Sequence, residues 1–419
     1  MTLNAGWRIA LGALGFLTMG SARVGAAPLT LGEAIDRALI FAPSLSMVSA
    51  ESEVSKARTR EQRAPLFPIL TSGIEYYQAP GYNTTVTNRG LSAGLIALNY
   101  TAWDWGRREA QYRAARYVSE AAQLGVAAVR AQIAFDTSIA YYDLLRARAS
   151  ERELGFNLQR ISRYVATVEA LQASGRAIVN DVLKIRSARD AAELLLSSAQ
   201  NATLLATANL GSLLGDFNAS DIEIVDPGDI PSLPSGELAE TPAMQAALRA
   251  ISSAQLQVKA AQAARLPTFQ VALTTGALGI DPPETATHNY GASYDGVLSM
   301  PLFDGGAISS RIDQAKAKVN AATAQFRQTR YLLERRLKDA SLRYQEANRE
   351  LAILARSQST ADDAFAMAWT RFLGGGSATL LEVIDSYQQA EQIRLDRPNH
   401  QFDARVTAAQ TSLLYGRIR

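Results

Sequence analysis

Two stretches of this 419-residue chain, 107–174 and 307–373, contain no proline and carry apolar residues at helical spacing. In the second, Val319, Phe326, Leu333 and Ala340 recur every seven positions, as do Leu337, Tyr344 and Leu351. In the first, Val126, Val129, Ile133, Ala140 and Leu144 follow spacings of three, four, seven and four. Sustained heptads predict coiled-coil packing with a left-handed twist. At 1.5 Å per residue each helix would be roughly 100 Å long. No globular domain is that deep, so the chain must fold as something elongated.

The two stretches belong to a duplication. Pro43 and Pro68 lie 25 positions apart, and so do Pro242 and Pro267. Trp103-Asp104-Trp105-Gly106 precedes the first long stretch, and Phe303-Asp304-Gly305-Gly306 precedes the second, 200 positions later. Gly175 recurs as Gly376 and Asp181 as Glu382, both at an offset of 201. Such small drift over this distance indicates one structural unit copied once, too long for a solenoid repeat. The expected organisation is a signal peptide over 1–26, a first repeat over 27–215, a linker over 216–241 with Pro227, Gly228, Pro231 and Pro234, and a second repeat over 242–419.

Residues 1–26 read as an export signal. Arg8 supplies the positive end, Ile9 to Met19 an apolar run too short to span a bilayer, and Val24-Gly25-Ala26 a small-residue cleavage site. Removing it would take away two arginines and no acid, bringing the formal net charge from +2 to zero. A neutral mature chain argues against nucleic acid as the main partner. Cysteine is absent. An exported chain of this kind is held by packing rather than disulfides and offers no acceptor for an N-terminal lipid anchor. The two histidines, His288 and His400, stand alone. With no zinc cluster, phosphate loop, nucleophile elbow or HExxH motif, nothing points to an enzyme or a cofactor.

Each repeat should open with a helix, roughly 31–64 and 242–264, with Pro43 and Pro242 near the starts, where a missing N–H is tolerated. Each then runs into proline and changes period. Leu70, Ile74 and Tyr76 alternate with small or polar neighbours, as do Phe269, Val271 and Leu273. Turn-rich segments follow, Ala79-Pro80-Gly81-Tyr82-Asn83 and Asp281-Pro282-Pro283-Glu284, and second strands are expected over about 89–101 and 290–300. Strands of this length suffice to cross a membrane at a tilt. Aromatics gather near their ends: Tyr76, Tyr77, Tyr100, Trp103 and Trp105, then Tyr290, Tyr294 and Phe303. Cross-strand packing accounts for such a distribution. A membrane-interface girdle accounts for it too, and the export signal favours the girdle.

After Ser174-Gly175 and Gly374-Gly375-Gly376 the chain should reverse into return helices over about 178–215 and 378–414. These are shorter than the outgoing helices. Length arithmetic pairs 178–215 end to end with 242–264, and 378–414 with 31–64, with the linker bulging outward at the first junction. Pro398 interrupts the last helix, where it either kinks the helix or marks a junction between stacked helices. Four strands cannot close, and an open sheet edge is forbidden in lipid. Two copies would give eight strands and three would give twelve, the larger number suiting a substrate-sized lumen.

Taken together, the chain resembles the TolC-type outer-membrane efflux proteins, a family of two tandem repeats. The matching residues are Pro301-Leu302-Phe303-Asp304-Gly305-Gly306, where strand passes into helix, and Leu66-Phe67-Pro68 with Arg265-Leu266-Pro267, at the strand entries. The reversals Gly175-Arg176-Ala177-Ile178-Val179-Asn180-Asp181-Val182 and Gly376-Ser377-Ala378-Thr379-Leu380-Leu381-Glu382-Val383-Ile384-Asp385 match as well. The likeness covers almost the whole mature chain, in order and in both repeats.

The resemblance implies a mainly α protein with a membrane β-barrel, in which long antiparallel coiled-coil hairpins and four strands per chain close as a trimeric twelve-stranded barrel and an α-helical tunnel. It implies a homotrimer in the outer membrane of a Gram-negative bacterium, in contact with outer-membrane lipid. The tunnel would dock on a periplasmic adaptor and an inner-membrane pump of RND, ABC or MFS type, for efflux or type I secretion. It places Glu382 and Asp385 at the periplasmic aperture, with Asp181 on the equivalent tip. Three apart, Glu382 and Asp385 share a helix face and would form stacked acidic rings. The competing account is the helix dipole, which favours acids in a first turn and fits Asp385 less well. Gly175 and Gly376 would make the reversals, and with Arg176 and Ser377 would meet the adaptor. Arg176 and Arg371 could pair with the acids. The second tip has one residue more than the family spacing after Arg371, which leaves the gate register open. Two rival readings are a periplasmic adaptor, which would need flanking β-domains, and a structural coiled coil, which would lack girdled strands.

Overall fold

The computed structural model describes residues 28–78, 90–218, 221–280, 290–374 and 378–416. The export signal at 1–26, the turn segments Ala79–Asn83 and Asp281–Glu284, His288, and the glycine run Gly375-Gly376 with Ser377 lie outside the described residues.

The chain forms α1 (Leu31–Phe41), α2 (Pro43–Arg63), β1 (Ile69–Gln78), β2 (Gly90–Trp103), α3 (Arg107–Ala173) and α4 (Val179–Leu214). It then repeats as α5 (Pro242–Ala263), β3 (Thr268–Ile280), β4 (Tyr290–Ser299), α6 (Ala307–Leu373) and α7 (Leu380–Tyr415). The two outgoing helices are 67 residues each, about 100 Å long at 1.5 Å per residue. The expected heptad holds on α6, where Leu333, Ala340 and Ala347 are buried at seven-residue steps. Both long helices start the same way. The aspartate of the Asp-x-Gly motif turns back on the first helical turn: Asp104 Oδ2 accepts from Arg108 N at 3.0 Å and Asp304 Oδ2 from Ile308 N at 2.6 Å. That satisfies donors a helix start leaves open.

Three expectations about the helices are corrected. The opening helix of the first repeat is two helices, because a residue before proline is pushed out of the helical region. Ala42 sits at φ −59°, ψ 111°, and Pro43 opens α2. Pro398 neither breaks α7 nor joins two helices; the helix runs through it. The end-to-end stacking is also exchanged. The end of α4 meets α1–α2, where a Cβ at Gly215 would fall 2.5 Å from the Phe41 ring, and the end of α7 meets α5, where one at Gly416 would fall 2.8 Å from Pro242. Length could not decide between the pairings, since α2 has 21 residues and α5 has 22, while α4 and α7 have 36 each.

Across the distal half the helices lie side by side in the order α4, α3, α7, α6; nearer the sheet the order is α2, α3, α5, α6. The long helix α3 is thus interior and α6 is a flank. The linker is strapped down rather than bulging. Leu29 bridges Ile224, the Tyr141 hydroxyl donates to the carbonyls of Leu29 (2.8 Å) and Val225 (2.6 Å), and Arg405 donates to Asp226 (2.7 Å) and Gly228 O (2.9 Å). Burial pushes the Tyr141 hydroxyl pKa up to about 12.

The four strands make one antiparallel sheet, β1-β2-β3-β4. Its register runs Ile69↔Asn99↔Ala272↔Asp295, with a bulge between Thr101 and Trp103. The register sorts side chains onto two unlike faces. One carries Leu70, Ile74, Leu98, Leu273, Tyr294 and Leu298 and no charge; the other carries Thr71, Glu75, Asn99, Gln270, Thr274 and Asp295. Every residue of β1 and β4 is exposed, and both are sheet edges. Among the described residues no helix is long and apolar enough to cross a membrane.

Candidate functional site

The two hairpin tips converge at the end of the bundle farthest from the sheet. In the first, Gly175 adopts φ 74°, the left-handed conformation this reversal needs. Gly175 N donates to Gln172 O and Arg176 N to Leu171 O, closing the end of α3. Arg176 pairs with no acid among the described residues. Its guanidinium donates to Leu373 O at 2.7 Å, satisfying a free carbonyl at the negative end of α6 and tying one tip to the other. Arg371 forms no ion pair among the described residues.

The three tip acids occupy different settings. Glu382 is the third residue of a capping box: Thr379 Oγ1 accepts from Glu382 N at 3.3 Å, and Glu382 Oε2 accepts from Thr379 N at 3.2 Å. Asp181 makes half of that arrangement, accepting from Ile178 N at 3.4 Å, because the isoleucine opposite has no oxygen to return the bond. Asp385, one turn further in, is exposed and has no hydrogen-bond or ion-pair partner among the described residues. Helix capping therefore explains Glu382 and Asp181 and leaves Asp385 unexplained.

Just behind the tips all four distal helices share a core of Ile161, Val165, Val168, Val182, Ile185 and Leu380, with other residues partly buried around it. Tyr164, Phe365, Trp369 and Tyr387 stack within it, with Tyr164 and Trp369 centroids 4.7 Å apart. The Tyr387 hydroxyl donates to Asn157 Oδ1 at 2.6 Å, and burial pushes its pKa well above the ordinary tyrosine range. Next to it runs an ionic chain. Glu391, only 4% exposed, accepts from Arg160 of α3 at 2.6 Å and from Arg394. Arg160 also holds Glu153 at 2.7 Å, and Arg394 holds Asp362 of α6. The chain ties α3, α7 and α6 together. The sequence reading missed it, because its partners lie 231 positions apart. The i,i+3 spacing of Glu391 and Arg394 was the only local signal.

At the sheet, Tyr76, Tyr100, Trp103 and Tyr290 all fall on the apolar face. Tyr76 and Tyr290 lie at the loop end, Tyr100 and Trp103 at the helix end. Tyr100 also receives the Arg108 guanidinium 5.7 Å from its ring centre. Trp105 and Phe303 lie just beyond the strands, and Phe303 is 92% exposed. Trp105 packs edge-on against Trp103 with centroids 5.9 Å apart and donates from Nε1 to Pro267 O at 2.9 Å. Cross-strand packing does not account for Tyr76, Trp103 and Tyr290, each more than half exposed. Among the described residues no three potential metal ligands cluster.

Residues 34–216 and 233–414 match the model of the outer membrane efflux protein family, one match per repeat. Protein CyaE of Bordetella pertussis is 30% identical over 321 residues, covering 72% of this chain and 66% of that protein. The pyoverdine export outer membrane protein OpmQ of Pseudomonas aeruginosa is 24% identical over 88% of this chain and 82% of its own length. The chain thus spans about two thirds of CyaE and more of OpmQ. In three dimensions it is similar to the outer membrane protein VceC of Vibrio cholerae, with a TM-score of 0.81 and 21% identity over 92% of this chain and 96% of that one. Two family matches in tandem, falling on the two copies of strand pair and hairpin, place this chain in the outer membrane efflux protein family.

Proposed function

We propose that the chain is the outer-membrane exit duct of a tripartite efflux or type I secretion assembly. The observation that carries this reading is the sheet. It has one uncharged apolar face, one polar face and two open edges, and it continues into helices of roughly 100 Å. An apolar face against lipid and a polar face against water is the pattern of a transmembrane barrel. The open edges require copies of the same chain, because unpaired backbone in lipid costs several kcal/mol per group.

The helical part supports the same closure. One flank of the protomer is β1, α2 and α4, and the other is β4 and α6. Leu183, Leu194 and Leu205 are exposed on α4 at eleven-residue steps, and Tyr331, Leu342 and Ile353 are exposed on α6 at the same step. Matched hendecads suit side-by-side helices. Unlike flanks that join head to tail generate a ring. Three copies would give twelve strands and six hairpins, a homotrimer with a barrel in the membrane and a tunnel in the periplasm.

At the distal end Asp181, Glu382 and Asp385 would ring the aperture, with Asp385 the free carboxylate of the three. Gly175, Arg176, Gly376 and Ser377 would meet a periplasmic adaptor linked to an inner-membrane pump. The aromatics Tyr76, Tyr100, Trp103, Trp105, Tyr290 and Phe303 would sit at the two lipid interfaces. The duct performs no chemistry and needs no cofactor; the pump supplies the energy.

The test is native mass measurement in detergent together with planar-bilayer conductance. Three chains per particle and stable conductance are expected, and a non-conducting monomer overturns the reading. Photo-crosslinkers at Gly175 and Ser377 should capture the adaptor in cells. Neutralising Asp385 should change conductance more than neutralising Glu382.

A further inference from the structure

Among the described residues the polar face of the sheet carries charge of one sign only. Among the described strand residues just two are ionisable as acids or bases with a full charge at neutral pH, Glu75 on β1 and Asp295 on β4. The register puts both on the same face: Glu75 lies opposite Ala93, which lies opposite Leu278, and Asp295 lies opposite Ala272, which lies opposite Asn99. Lipid explains why neither is on the apolar face, since a charge facing lipid is destabilising, by about 2–4 kcal/mol for Lys or Arg at mid-membrane and by less for Asp or Glu. Lipid says nothing about sign on the wet face. Both acids are exposed, and neither makes an ion pair among the described residues. Arg108, at the helix end of the sheet, shares a small cleft with Asp295 and Asn99, but its charge is committed to Asp104 at 2.8 Å and to Pro65 O at 2.6 Å.

We infer that Glu75 and Asp295 line the barrel as two separate acidic rings, which make the barrel itself, and not only the distal tips, selective for cationic over anionic solutes. This rests on the duct reading. Twelve strands about 4.8 Å apart and tilted by about 40° make a barrel about 24 Å across. The three carboxylates of a ring then stand about 9 Å from the axis. Asp295 pairs across the sheet with Ile69, six residues along β1 from Glu75, so the two acids occupy separate positions along their strands. The Debye length is about 8 Å at 0.15 M salt. Three unit charges at about 9 Å, screened at that salt, change the cation-to-anion permeability ratio about fourfold per ring. At 1 M salt, with a Debye length of about 3 Å, the effect nearly vanishes.

The experiment measures reversal potentials in KCl gradients across planar bilayers, with the intact channel in a background where the tips are neutralised (Asp181→Asn and Glu382→Gln with Asp385→Asn). That background should remain cation-selective. Adding Glu75→Gln or Asp295→Asn should each lower PK/PCl about fourfold at 0.15 M, the two together should lower it further, and 1 M salt should abolish the difference. Glu75→Asp, which keeps the charge, should retain the ratio and so separate charge from misfolding. If the neutral variants conduct with an unchanged ratio, the barrel rings are refuted while the duct stands. If the unmodified protein forms no trimer and no conductance, the duct reading fails and takes the rings with it.

Discussion

The two long helices are equal in length and start from the same motif, yet they live in different surroundings. Along α3, buried positions run from Ala110 to Val168 and include Tyr141, Tyr142 and Leu144, because α3 is covered on both sides within one protomer. Along α6 only Ile312, Ala315, Leu333, Ala340 and Ala347 are buried, and Tyr331, Leu342 and Ile353 face out. Duplication supplied two identical parts, and position then gave them different work. The long helix of the first copy holds the protomer together, and that of the second lies exposed along one flank.

The strongest attack on that contrast is at the place where the copies are joined. Replacing Glu391 with alanine leaves Arg160 and Arg394 facing each other in a mostly buried site, and breaking such a pair costs about 3–5 kcal/mol. The exposed pair Arg186–Glu169 offers the control, worth about 0–1 kcal/mol. Chemical denaturation followed by circular dichroism should show the large loss only for Glu391→Ala. An equal loss in both would mean that α3 and α6–α7 are not held by this chain of charges.

A second pair of substitutions separates interior from flank. Leu144 on α3 is fully buried, so Leu144→Ala should cost about 3 kcal/mol. Leu342→Ala on α6 should cost less than about 0.5 kcal/mol in the protomer, as exposed substitutions do, yet Leu342→Asp should reduce trimer yield on native gels. Trimer yield unaffected by Leu342→Asp would remove α6 from the interface.

Most of the long-helix framework was legible in the sequence, because proline-free heptads and Asp-x-Gly starts are local signals that nothing else in the chain opposes. Helix bounds were read to within a residue or two over 107–173 and 307–373. What escaped was non-local or degenerate. The stacking partners of α4 and α7 were exchanged because the first opening helix was read as one span over 31–64, which hid the break at Ala42 that leaves α2 and α5 nearly equal in length. The Glu391 chain and the Tyr387–Asn157 bond join residues more than 200 apart, which no periodicity reports. Pro43 was read as a tolerated early proline, whereas its effect on Ala42 divides the helix. At the tips the acids were legible, but their differing bonds were not, since these depend on whether position 178 or 379 carries an oxygen.

The strand-to-helix turns offer a smaller contrast. Gly305 adopts φ 64°, and at the equivalent place the first copy puts Trp105 at φ 57°. A side chain in that region costs about 1–2 kcal/mol. Gly305→Ala should therefore destabilise by about that amount. Trp105→Gly relieves the strain but loses the bond to Pro267 and the packing on Trp103, so its net change should be smaller. Thermal unfolding of the two variants compares them directly. If Trp105→Gly is the more damaging, the indole contacts outweigh the backbone strain, and this turn is fixed from the second repeat.

At the tips, Thr379 caps α7 and Ile178 leaves α4 without a hydroxyl cap. Thr379→Ala should cost about 1 kcal/mol, and Ile178→Thr should gain about 0.5 kcal/mol, by supplying the missing half of the box. Amide exchange in the first turns of α4 and α7 reads both. Faster exchange of α4 in Ile178→Thr would mean that Ile178 serves the tip by packing rather than by vacating a cap.

The smallest effect contrasts the opening helices of the two copies under acid. At the start of α1, Thr30 and Glu33 form a complete capping box: Glu33 Oε2 accepts from Thr30 N at 3.0 Å and from Thr30 Oγ1 at 3.0 Å. The backbone hydrogen bond from Thr30, then that from its hydroxyl, lower the Glu33 pKa from its ordinary 4.5. At the start of α5 the cap is Thr241, and the third helical position is Met244, which has no charge to lose. A carboxyl whose folded pKa is depressed contributes its stabilisation above its unfolded value and loses it as pH falls through the lower, folded value. Between pH 4.5 and that lower value, the Thr30 and Glu33 amides should therefore exchange progressively faster relative to their intrinsic rates, while the Thr241 and Met244 amides keep their protection. Glu33→Gln keeps the shape of the box without its charge and should abolish the pH dependence at α1. If α1 and α5 loosen together on acidification, the change belongs to the assembly as a whole rather than to the cap.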